Sequence, residues 1–164
     1  MPPLMGRKLR FADAAHAIEA TPKTLRNWLQ RGQVRFDFAG STEVAQASGW
    51  REFNASEIAV LAITRKLVEF GMTVEEASGF ANALLSERAA LLLTSKSTPP
   101  QMLVAAFSGF RFMAWRDPPG EGWRIVLADP GELLLPASAC VVLAIADILE
   151  RAITRAYQRG EDGE

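Results

Sequence analysis

The spacing of apolar residues changes several times along this chain, and each change marks an element. Phe11, Ala14, Ala15 and Ile18 recur three and four residues apart, which predicts a short amphipathic helix over 10–20. Thr21-Pro22 reads as a fresh start, with Thr as the capping residue and Pro at the first helical position, where a missing N–H costs nothing. The second helix buries Leu25, Trp28 and Leu29, runs to about Arg31 and stops at Gly32. Two helices one tight turn apart make a helix-turn-helix candidate. The rhythm then shifts to two: Val34, Phe36 and Phe38 alternate with Arg35 and Asp37, as in a short strand. A polar loop follows, and Gly49 to Phe53 reads as the return strand.

Asn54-Ala55-Ser56-Glu57 has the form of a capping box and opens a third helix, about 55–70, carrying Ile58, Leu61, Ala62, Ile63 and Leu67. Thr73-Val74-Glu75-Glu76 is a second such box and opens a fourth helix through Phe80, Ala81, Leu84 and Leu85 to about Leu93. Lys96 to Pro100 is dense in Ser, Thr and Pro and reads as a linker. Beyond it, 107–116 and 123–128 predict a β-hairpin around the turn-rich Asp117 to Gly122. A last helix is expected over about 137–158. The fold class is therefore mainly α, a helix-turn-helix with a strand pair after it, followed by a small α+β region, with expected domains at 1–95 and 101–164.

The first half resembles the MerR family of transcriptional regulators. The resemblance rests on Thr21 to Trp28, on Gly49-Trp50-Arg51-Glu52-Phe53-Asn54, and on the run from Ile58 through Phe70-Gly71-Met72-Thr73 to Glu76. It covers roughly residues 9–85 and implies a winged helix-turn-helix and a DNA-binding regulator of MerR-like type. In that scheme the helix at about 22–31 enters the major groove of double-stranded DNA and the wing at about 34–53 lies on the phosphate backbone. The chain departs from the family pattern in having Glu19 where the turn between the first helices usually has Gly. It also has a longer wing loop.

The side chains fit that scheme. Between the buried residues of the second helix lie Lys23, Thr24, Arg26, Asn27 and Arg31, and Arg35 extends the basic run. Arg and Asn suit bidentate reading of guanine and adenine edges, while Lys and Thr suit phosphates. Arg51, in the wing motif, is the phosphate candidate by resemblance; a surface salt bridge is the plainer reading of it. Residues 1–40 carry a net +4 within a chain of net charge −1, an electrostatic footprint that would suit phosphate. Two other classes remain open: a phage-type DNA-packaging or recombination accessory protein, and a protein-interaction adaptor that has lost DNA binding.

Composition narrows the rest. With 49% hydrophobic residues the chain is globular, and no apolar run reaches the ~18 residues of a membrane helix. The N-terminus lacks the apolar stretch of a secretion signal. One cysteine and one histidine give no internal disulfide and argue against a zinc site, so a reducing cytoplasm and no metal or cofactor are expected. Cys140 reads as a small core residue and His16 as a packing or surface one. Trp115 and Trp123 flank the hairpin turn, as hairpin core or as the wall of an apolar pocket. With no phosphate loop, paired carboxylates or triad, no catalytic residues are expected and the protein is read as no enzyme. The last helix carries a broad apolar stripe, Val141, Ile145, Ile148, Leu149 and Ile153, which predicts a homodimer interface, with folding back on the winged domain of the same chain as the alternative. A small-molecule effector is not specified by the sequence.

Overall fold

The computed structural model describes residues 9–37, 51–89, 100–116, 121–131 and 139–159. Helix α1 (Phe11–Ala17) begins where the Asp13 carboxylate accepts the Arg10 N–H at 2.8 Å. It ends at Ile18, and Glu19 then takes a left-handed backbone, φ 53°, to turn the chain. Helix α2 (Pro22–Gln30) follows, with Thr21 Oγ1 accepting the Thr24 N–H at 3.1 Å, and Gly32 (φ 63°) stops it. Both expected capping boxes form. Asn54 and Glu57 exchange bonds of 2.8 and 3.0 Å at the head of α3 (Ala55–Glu69). Thr73 and Glu76 do the same at 3.1 and 3.2 Å before α4 (Val74–Ala89).

The second half differs from the sequence expectation in two places. Pro100 is the first residue of a short helix, α5 (Pro100–Ala106), and not the end of a linker. The stretch read as the start of the last helix is a strand. β1 (Arg111–Trp115) is the centre of an antiparallel sheet in the order β2-β1-β3, flanked by β2 (Arg124–Ala128) and β3 (Val141–Ala144). Phe112 sits between Leu127 and Leu143 in that register. Helix α6 (Ile145–Gln158) starts directly from β3 with no side-chain cap at Ala144. The apolar run 141–145 therefore crosses an element boundary that no polar residue marks.

One core joins the two halves. Helix α3 is buried from Ile58 through Thr64, since Ile-Ala-Val-Leu-Ala-Ile is apolar on every side and needs partners all round. Those partners are α1, α4, α5 and α6. Ile145, Leu149 and Ile153 of α6 are at most 4% exposed within the single chain. The face expected to dimerise is thus taken up internally, with Val141 and Ile148 half-buried at its edge. The described residues of 101–164 contribute to this same core. Two polar contacts fasten the C-terminal end of α6 to α1 and the turn after it: Arg155 pairs with Glu19 at 2.9 Å, and Arg159 Nη1, at the cap of α6, donates to the Ala12 carbonyl at 2.9 Å.

Candidate nucleic-acid interface

Helix α2 is held by its inner stripe. Leu25, Trp28 and Leu29 are buried, which turns Lys23, Arg26, Asn27 and Arg31 to solvent. Lys23, Arg26 and Asn27 are three and four apart and share one face, and residues 22–31 contain no acid. The Arg26 guanidinium lies 5.4 Å from the Phe11 ring centre, so α1 steadies it by a cation–π contact. Thr24 is half-buried, and its hydroxyl is 2.9 Å from that of Thr21. Its part is therefore in the cap of α2 as well as on its face.

The segment after α2 is pinned by α4. The Arg35 N–H donates to Ser78 Oγ at 3.1 Å and the Arg35 carbonyl accepts from Asn82 Nδ2 at 2.9 Å. Ser78 and Asn82 are buried on one side of α4, one turn apart, so they hold the Arg35 backbone while its side chain stays exposed. The expected strand over 34–38 does not form at the described positions: Val34 and Phe36 are buried in irregular backbone. Phe53 instead bridges to Leu9, its N–H donating to the Leu9 carbonyl at 2.8 Å. Phe38, the wing loop, Gly49 and Trp50 lie outside the described residues.

Arg51 has a different setting from the one expected of a phosphate contact. Its guanidinium lies 5.0 Å from the ring centres of both Phe36 and Phe53, and Nη2 donates to Glu57 Oε1 at 2.8 Å. The pair is largely buried, 16% exposed at Arg51 and 8% at Glu57. Burial pushes the Glu57 carboxyl above its ordinary range, against the pull of the Asn54 N–H and of Arg51. Glu57 thus does two jobs, closing the capping box of α3 with one oxygen and holding Arg51 with the other. The sequence carried half of this signal, the Asn54–Glu57 box. The aromatic cage joins residues 17 positions apart and had no local mark.

Of the residues expected to meet DNA, Lys23, Arg26, Asn27 and Arg31 come together on α2, with Arg35 exposed just after it. Arg51 stands apart, paired with Glu57 at the head of α3 and stacked on Phe36 and Phe53. His16 is exposed on α1, and Cys140 is half-buried just before β3. Trp123 is partly buried in the core, with Arg116 4.8 Å from its ring centre, which supports the packing reading of the hairpin tryptophan. No helix among the described residues is long and apolar enough to cross a membrane.

Residues 9–84 match the family model of the MerR HTH family regulatory proteins. No curated protein matches the chain.

Proposed function

We infer, from a chain whose N-terminal half is a MerR-type helix-turn-helix domain, that this protein regulates transcription by placing α2 in the major groove of double-stranded DNA. The observation that carries the reading is the exposed, acid-free face of α2 bearing Lys23, Arg26 and Asn27, with Arg31 at its C-terminal cap, over a buried stripe of Leu25, Trp28 and Leu29. Arg26 and Asn27 read base edges; Lys23, Arg31 and Arg35 meet phosphates. As a DNA-binding regulator it is read as a cytoplasmic protein.

A nine-residue helix spans few base pairs. We therefore read the protein as a homodimer on a palindromic site, with its two recognition helices about one DNA turn apart. The pairing surface lies outside the buried face of α6.

Gel shift of pooled genomic fragments by the full chain, followed by sequencing of the bound fraction, tests the reading. Enrichment of promoter fragments and a salt-dependent affinity are the expected results. Clustering at an attachment site or phage end points to the packaging or recombination class. The absence of salt-sensitive binding points to the adaptor class.

A further inference from the structure

A cavity of about 320 Å³ opens between the α1–α2 turn, the second half of α3 and the start of α6. That is the lower end of the ~300–1,000 Å³ range of small-molecule sites. None of its lining residues is on α2. Its inner wall includes Ile18, Ala62 and Ala152, all buried, while Phe70 and Val142 at its edge are 46% and 43% exposed. Large apolar side chains left open to solvent around a concavity are the usual mark of a binding surface.

The polar lining has an excess of positive charge. Arg65, Lys66, Arg151 and Arg155 face Glu19, Glu69 and Asp147. Glu69 is shared between Arg65 at 3.7 Å and Lys66 at 3.1 Å, and Glu19 is engaged by Arg155. Arg151 has no ion-pair partner among the described residues, although Asp147 lies one turn away. The Nε of Arg65 is shut off from solvent and lies 3.7 Å from Glu69 Oε1, so among the described residues of the lining Arg151 is the cation whose charge is left for a ligand.

We propose that this cavity binds a small organic anion, a carboxylate on an aromatic or aliphatic body. The anion sits among Arg65, Arg151 and Arg155, and the body lies against Phe70, Val142 and Ile148. DNA is a poor occupant, because the concavity is half apolar and carries three carboxylates. The site also touches the helix-turn-helix directly: Arg155, which would share the bound carboxylate, is the partner of Glu19 in the turn between α1 and α2.

Calorimetric titration of the full chain with 2-naphthoate, without DNA, tests the site independently of the DNA reading. The charge-inverted 2-naphthylmethylammonium serves as the control ligand. Saturable one-to-one binding of naphthoate is expected, with no matching signal from the cation. Arg151→Glu, at an exposed position, should weaken binding at least tenfold, and Ala144→Trp, which fills the mouth, should abolish it. Both variants should melt at the wild-type temperature. Three results would each overturn the proposal: no saturable heat up to millimolar naphthoate, unchanged affinity in Arg151→Glu, or equal affinity for the cation.

Discussion

Replacing Arg51 by alanine separates a structural role from a DNA contact more sharply than any other substitution in the chain. The change removes the ion pair to Glu57 and both aromatic contacts. Stripping one partner from a buried pair costs about 3–5 kcal/mol. Here the backbone N–H of Asn54 still holds one Glu57 oxygen and Arg51 is 16% exposed, so about 2–3 kcal/mol is the better figure. The two ring contacts add about 0.5–1 kcal/mol each. A total of about 3–5 kcal/mol corresponds to a fall in Tm of roughly 6–20 °C for a chain of this length. Arg51→Lys keeps the charge but not the flat stacking surface and should lose about half as much. In a Glu57→Gln background the remaining cost of Arg51→Ala should shrink to the ring contacts, about 1–2 kcal/mol. The sign with pH follows from Glu57, whose carboxyl burial already raises. Without Arg51 it rises further, so the deficit of Arg51→Ala is largest near neutrality and shrinks as acid neutralises the orphaned carboxylate. Thermal and urea melts from pH 4 to 7 measure all of this. If Arg51→Ala melts within 2 °C of the parent while losing DNA affinity and about one unit of salt slope, the guanidinium belongs to phosphate and the cage argument fails.

Three further outcomes follow from the same structure. Arg26→Ala and Asn27→Ala should each relax base preference by about 1–3 kcal/mol, while Lys23→Ala should weaken all sequences alike; binding to a randomised operator library distinguishes the two patterns. Glu19→Asn should relieve about 1 kcal/mol of left-handed strain but lose a surface ion pair worth ~0–1 kcal/mol, leaving stability nearly level. In an Arg155→Ala background the same change should instead stabilise by about 1 kcal/mol, and a loss there refutes the strain argument. Glu76 is held below its ordinary 4.5 by the backbone N–H and then the hydroxyl of Thr73. Its contribution is present above pH 4.5 and lost as pH falls through the lowered value, so Glu76→Gln should flatten that part of the acid limb of the stability curve.

How much of this was legible depends on whether the signal was local. Caps are local: Thr21, Asn54 and Thr73 each contact the residue three positions on, and α2, α3 and α4 begin where those residues place them. The exposed face of α2 was legible for the same reason, since a helix with one buried stripe leaves its complement outside. The β3–α6 boundary was not, because Val141 to Ile145 is apolar across it and Ala144 offers no cap. Phe53 was expected to close a hairpin on 34–38 but pairs with Leu9, a partner no short-range pattern specifies.

The partner of α6 was legible as one of two alternatives, a second copy of the chain or the winged domain of the same chain. A stripe bearing Ile145, Leu149 and Ile153 demands cover, and a small hairpin cannot supply it. A second copy is one solution, but Ile58 to Ile63 poses the complementary problem. A helix apolar on all sides cannot be satisfied by α1 and α4 alone, so it requires a further helix with an apolar stripe. The two demands cancel within one chain, at no cost in association entropy. The consequence reaches the helix-turn-helix. Because α6 covers α3 and is fastened to Glu19 and to the carbonyl of Ala12, the C-terminal half supports the α1–α2 turn directly. A change in how α6 sits therefore bears first on the turn that sets the angle of α2.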